Sequence, residues 1–140
     1  MTAQLPDNEI NKELRSRLHN MEIGAHRFKF HISRATSARD KFYFLVSTQL
    51  NQKDANKCGN GWLNSTEIQV VCIFPKNTGS KNIMNLASNG VIEELQDFTL
   101  PSSTGLKVNL VDLSIDNEIV EDTKSEVVYR KIIRLETNIT

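Results

Sequence analysis

The side chains best suited to chemistry are three histidines and two cysteines. His26 and His31 fall on opposite faces of the alternating run HRFKFHIS, so they cannot share a metal ion through that strand. His19 follows a helical run whose C-terminal end favours a cation. No Gly-x-Ser-x-Gly, Gly-x-x-x-x-Gly-Lys or His-Glu-x-x-His motif occurs. The sequence therefore predicts no catalytic residue, no metal ion and no cofactor, and structural roles for the histidines.

Cys58 lies in the short stretch KCGNGW, directly after Lys57. A nearby ammonium lowers the pKa of a thiol, but a cysteine nucleophile also needs a base, and the sequence identifies none. No helix starts after the glycines, so the stretch offers no helix dipole for a phosphate. We interpret it as a turn and keep a Cys58 enzyme as an alternative. Cys72 is predicted to be a buried, reduced thiol on a strand.

Composition indicates one folded domain without a strong overall charge. Seventeen basic residues balance seventeen acidic ones, so no global field attracts nucleic acid or anionic lipid. No apolar run is long enough to span a bilayer, and the N-terminus lacks the pattern of a signal peptide. We expect a single domain over residues 1–140, made and kept in a cytosol, with no membrane partner.

Hydrophobic periodicity predicts two helices. Ile10, Leu14 and Leu18 recur at helical spacing and predict a helix from Asp7 to Asn20, so residues 1–22 form an N-terminal helical segment before a core at residues 23–140. A second helix is predicted from Ser80 to Gln96, with its apolar register continuing across a glycine.

The rest of the chain is rich in strand-forming residues. Strands are predicted at HRFKFHIS, from Lys41 to Leu50, from Trp62 to Phe74, over LKVNLVDLSI and NEIV as one or two strands, and over SEVVYRKIIRLET. The element order predicts an α+β fold: an antiparallel or mixed β-sheet with two helices packed on one face and a long β-hairpin loop.

Candidate partner contacts fall in two polar segments. The run from Asn51 to Gly61 is longer than a tight hairpin requires, which predicts contact with a neighbouring subunit. Trp62 is interpreted as packing at the base of this hairpin, with an interface anchor as the alternative. The predicted interface residues are Asn51, Gln52, Lys53, Asp54, Asn56, Lys57, Asn60, Trp62, Arg34 and Arg39.

A basic segment keeps a second function class open. Basic and aromatic residues interleave between Arg27 and Lys41, a pattern that single-stranded nucleic acid can use. Strand alternation counts against it, because Phe28 and Phe30 point away from Arg27 and Lys29. We therefore interpret the segment as a solvated strand face with a charged loop. If the charge has a partner, an acidic neighbouring subunit explains it as well as nucleic acid does.

The order of elements from Lys41 onward resembles the tail terminator, or tail completion, proteins of long-tailed bacteriophages. The stretches that carry the resemblance are FYFLVSTQLNQKDANKCGNGW, STEIQVVCIFPKNTGSKNIMNLASNGVIEEL and VVYRKIIRLET. The resemblance extends over about one hundred residues in element order and turn chemistry, and it contains no catalytic motif.

The resemblance implies a structural virion protein at the head–tail junction, without enzymatic activity, assembled in the host bacterial cytoplasm. It implies a homo-oligomeric ring, a hexamer, that caps the tail tube, ends its polymerisation and joins the tail to the capsid connector. The implied partners are further copies of the chain, the tail-tube protein and the head–tail connector proteins, with DNA only passing through the lumen. A head–tail stopper and a tail-tube component remain alternatives.

Overall fold

The fold is a mixed six-stranded β-sheet with two helices. A computed structural model describes residues 6–32, 41–53, 61–79 and 81–140. In chain order the elements are α1 (Asp7–Leu18), β1 (Met21–Ile23), β2 (His26–Ile32), β3 (Phe42–Lys53), β4 (Trp62–Pro75), α2 (Lys81–Leu95), a 3-10 turn (Ser102–Thr104), β5 (Val108–Asp122) and β6 (Glu126–Ile139).

The sheet places the strands in the order β1-β2-β3-β4-β6-β5. Only the β2–β3 pair is parallel, and the other four pairs are antiparallel. The long β3–β4 and β5–β6 hairpins supply most of the ladder. The predicted α+β class with a mixed sheet is therefore confirmed.

Both helices pack on the same face of the sheet. Ile10, Leu14 and Leu18 of α1 are fully buried, as their spacing predicted. They share one core cluster with α2 and with strand residues such as Phe44 and Ile68. The opposite face carries a smaller cluster centred on Tyr43, Val71 and Val128. Within the described residues, no helix is long and apolar enough to cross a membrane.

The first helix ends two residues earlier than predicted. Its apolar spacing extends to Met21, but Asn20 adopts a left-handed backbone with φ 65°, and Met21–Ile23 then pairs with β2 as a short edge strand. Periodicity alone could not separate these residues from the helix, because Met21 also faces the core. Residues 21 and 22 thus belong to the sheet and not to an N-terminal helical segment.

The second helix runs without a break across Gly90. A Cβ atom at Gly90 would lie 3.1 Å from the Met21 sulfur, so the glycine lets β1 approach α2 closely. The predicted first residue of this helix, Ser80, lies outside the described residues. The buried stripe of α2 follows Met84, Ala87, Val91 and Leu95, and Leu86 on its flank is 55% exposed.

The two candidate strands after α2 form one continuous strand, β5. Its register against β6 shifts between Leu110 and Asp112 and again between Ile115 and Asn117. Such bulges bend a strand and change which side chains share a face. They explain why the sequence pattern allowed either one strand or two.

Candidate partner interface

The predicted contact loop is shorter than the polar run that suggested it. Asn51, Gln52 and Lys53 belong to β3, where they pair with Asn64, Leu63 and Trp62 of β4. β4 is held on its other side by β6 down to the Trp62–Ile139 pair, so the ladder continues through polar residues. The predicted interface residues Asp54, Asn56, Lys57, Asn60, Arg34 and Arg39, and also Cys58, lie outside the described residues.

Asn51 has a role inside the chain. Its Nδ2 donates to Oδ1 of Asp7 at 2.7 Å, and its Oδ1 accepts from Nδ2 of Asn64 at 2.7 Å. Oδ1 of Asn64 accepts in turn from the hydroxyl of Thr66 at 2.7 Å. Gln49 adds a bond from its Nε2 to Oδ1 of Asn11 at 2.8 Å. This polar network joins the first turns of α1 to the β3–β4 hairpin and was not visible from the sequence.

Trp62 lies at the base of the hairpin and is partly buried, where the sequence placed it. Lys53 sits over its ring, with Nζ 5.9 Å from the ring centroid, a cation–π arrangement. The indole Nε1 is buried and has no hydrogen-bond partner in the described part of the chain. Its predicted role as an interface anchor stays an alternative to packing.

The sheet face opposite the helices carries an open cleft of about 330 Å³ near the same hairpin. Three exposed apolar side chains line it: Leu50 (64% exposed), Leu63 (39%) and Val111 (57%). Ser65 and Glu136 add polar groups. Leu50 is the last residue of one predicted strand, and Leu63 lies within the next. Only the pairing of β3, β4, β6 and β5 brings them beside Val111.

β5 is the outer strand at one end of the sheet. It carries five acidic residues and no basic one: Asp112, Asp116, Glu118, Glu121 and Asp122. Four of them form ion pairs within the chain: Asp116 with Arg134, Glu118 with Lys81, Glu121 with Arg130, and Asp122 with Lys76. Asp112 instead lies directly opposite Glu136 on β6. In the described residues neither carboxylate forms a salt bridge, although the pKa of nearby Arg134 is raised first by its hydrogen bond to Glu67 and to a smaller extent by the charge of Glu136. β5 thus joins an apolar cleft to a pair of facing acidic side chains.

In the described part of the basic segment, Phe28 and Phe30 are not available for stacking. Phe28 and Phe30 are buried, with 0% and 1% of their surface exposed, in the core beneath the helices. Arg27 forms an ion pair with Glu22 at 2.8 Å, and Lys29 donates to Asn20 at 2.9 Å. Nucleic-acid bases therefore cannot stack on these phenylalanines without unfolding the core.

The histidines have structural surroundings, as predicted. Nδ1 of His19 accepts a hydrogen bond from the Phe30 backbone N–H at 3.2 Å. His26 stacks near Phe42 and His31 near Tyr43, with ring centroids 4.2 Å and 5.5 Å apart. These two histidines lie on opposite faces of β2. Among the described residues, no group of three or more potential ligands could hold a metal ion.

Cys72 is fully buried on β4, as predicted. Burial raises the pKa of its thiol from 9.0 to about 12. The thiolate is the nucleophilic form of cysteine, so this side chain has the properties of a core residue.

Comparison with solved structures finds similar folds, whereas comparison of sequences finds none. No protein-family model matches the chain, and no curated protein matches it. Among solved structures, the fold is similar to a chain of the "Virion of native gene transfer agent (GTA) particle", with a TM-score of 0.49 and 12% sequence identity. The similarity covers 78% of this chain and 78% of that chain. At this level, similarity does not assign a function.

Proposed function

We propose that the protein is a structural component of a phage-like virion that forms a closed ring at the end of the tail tube. The ring, a hexamer, ends tube polymerisation and presents a surface to the connector of the capsid. Its partners are further copies of itself, the tail-tube protein and the connector proteins. It has no catalytic role, and it is located at the head–tail junction.

One observation supports this proposal most strongly: apolar side chains are exposed along β5 and across the cleft next to it. Val111, Ile115 and Val120 are each about half exposed, at 57%, 49% and 48%. Leu50, Leu63 and Val111 meet in the cleft, and a contiguous exposed apolar patch is typical of a surface that a partner covers. The resemblance of the sequence to tail terminator proteins indicates that the partners are other tail and connector proteins.

The buried polar chemistry also favours an assembly role over catalysis. The polar network around Asp7 and Asn51 joins a helix to a hairpin. The buried thiol of Cys72 has a raised pKa. Asp7, Asn51 and Cys72 thus have structural roles.

An assembly experiment with tail-tube protein tests the proposal and separates it from its alternatives. Native mass spectrometry and negative-stain microscopy should show rings, and rings added to growing tubes should sit at one tube end and stop elongation. A tube component would extend the tubes, whereas a stopper would bind the connector and leave tube length unchanged. A protein that stays monomeric at all concentrations and leaves tubes uncapped contradicts the proposal.

The predicted hairpin contact has its own test within the same assay. Gln52 is exposed, whereas the side chain of Asn51 is hydrogen-bonded inside the chain. Gln52→Arg should weaken capping without changing the melting temperature, if the hairpin contacts a neighbour. Asn51→Ala should instead lower the melting temperature, because it removes a hydrogen bond inside the chain. Three separate variants, Gln52→Arg, Asp54→Ala and Lys57→Ala, are compared in this assay. If all three cap tubes as well as the wild-type protein does, the hairpin contact is contradicted.

A further inference from the structure

Among the strands that the structure describes, none pairs with the outer side of the β5 backbone. Along its fifteen residues, alternate backbone N–H and C=O groups point away from β6, toward the outside of the sheet. Val111, Ile115, Ile119 and Val120 are exposed along the same strand. An edge of this length and apolarity is a surface on which another chain can dock.

Edge protection alone does not explain the composition of β5. Proteins protect free edges with bulges and charged side chains, especially lysine. β5 has two register shifts and five acids, but four of the acids are neutralised by ion pairs and no lysine is present. The exposed apolar side chains remain available between them.

Charge determines which surface can dock there. Asp112 and Glu136 face each other, and two like charges at directly opposite positions destabilise a sheet. Docking of β5 on β5 of a second copy would bring together two strands that each carry five acidic residues and no basic one. A cationic surface from another copy would instead neutralise them, so the favoured contact is between two different surfaces, which is the arrangement that closes a ring.

The other end of the sheet has a small net positive charge. β1 is the opposite edge strand and carries Glu22, which forms an ion pair with Arg27 of the adjoining β2, so Lys29 supplies the remaining positive charge. The side chain of Arg27 is 58% exposed. Arg27 and Lys29 also line a shallow, open depression beside the β1–β2 turn. The two ends of the sheet therefore have opposite charge.

We propose that β5 of one copy docks head to tail on the β1–β2 hairpin of the next copy, with Asp112 and Glu136 facing Arg27 and Lys29. This interface rests on the proposed ring and identifies the two surfaces that form it. The occupant of the β5 edge is a second copy of this chain.

A charge-swap experiment tests the interface. One variant carries Asp112→Lys and Glu136→Lys, a second carries Arg27→Glu and Lys29→Glu, and a third combines all four substitutions. Each of the first two should raise the protein concentration needed for half-maximal ring formation by at least about tenfold, since like charges are brought together. The combined variant should restore ring formation. Glu93→Lys, at an exposed position on α2, is the matched charge control and should leave assembly unchanged.

Circular dichroism melting of each variant shows whether a variant that forms no rings is still folded. Rings that form equally well with reversed β5 charges overturn this interface while leaving the proposed function standing. Loss of rings that the combined variant does not restore overturns the β1–β2 hairpin as the docking surface. A wild-type chain that forms no ring contradicts both the interface and the proposed function.

Discussion

Asp7 connects the first helix to the β3–β4 hairpin through hydrogen bonds from Asn51 and Asn64, at 2.7 Å and 3.4 Å. Asn64 is only 2% exposed, so water cannot readily replace the lost acceptor. We expect Asp7→Ala to lower the free energy of unfolding by about 1 to 3 kcal/mol, the usual cost of leaving buried polar groups unpaired. Urea unfolding measures this change. Asn8→Ala, at an exposed neighbouring position, is the control, and an equal effect of both substitutions contradicts the role of Asp7.

Cys72 should make stability depend on pH in the alkaline range. The pKa of its thiol is raised from 9.0 to about 12 by burial, so above pH 9 the unfolded chain loses this proton while the folded chain keeps it. The contribution to stability is fully present below pH 9 and is lost as the pH rises toward 12, at up to about 1.4 kcal/mol per pH unit.

The measurement compares urea unfolding of the Cys58→Ser chain with that of Cys58→Ser/Cys72→Val across this pH range. Only the chain with Cys72 should show the additional loss. A disulfide-exchange reagent should also label Cys72 only after unfolding. Rapid labelling of the folded protein at neutral pH would contradict this environment.

At the scale of elements, the turn between β4 and α2 depends on Gly79. This residue has φ 104°, and a Cβ atom there would lie 2.6 Å from Cγ of Phe74. The Phe74 ring packs against Phe42 and Tyr129, with centroids 5.4 Å and 5.8 Å away. We expect Gly79→Ala to cost about 1 to 3 kcal/mol of stability, because it combines backbone strain with a steric clash. Thermal melting measures the loss.

Gly105 supplies a matched control for this prediction. It also has a positive φ, 73°, but a Cβ atom there would meet nothing within 4 Å. Gly105→Ala should therefore cost less than Gly79→Ala, since only the backbone conformation is penalised. Equal losses would show that contact with Phe74 contributes nothing.

At the scale of the whole molecule, balanced charge and buried phenylalanines predict weak nucleic-acid binding. Phe28 and Phe30 are in the core, and Arg27 is paired with Glu22. We expect any binding of single-stranded DNA to disappear near physiological salt, measured by fluorescence anisotropy, because only phosphate contacts are available. Tight binding that persists in salt and weakens in Arg34→Ala/Arg39→Ala would favour the nucleic-acid alternative instead.

Local patterns were most informative for elements whose burial follows one regular period. Ile10, Leu14 and Leu18 predicted α1 because a helix buries one stripe, and the alternation around Phe28 and Phe30 predicted β2 because a strand separates two faces. Patterns failed where a partner strand overrides local polarity. β3 continues through Asn51 to Lys53 because β4 pairs with it there.

The sequence by itself determined the fold class, the two amphipathic helices, the buried thiol and the absence of local catalytic motifs, since each depends on residue type and short-range spacing. Only the tertiary structure decided that β5 is an edge, that Leu50 and Leu63 meet Val111, and that Asp112 faces Glu136. These relations join residues far apart in the chain. They arise from strand order and register, which short-range periodicity does not encode.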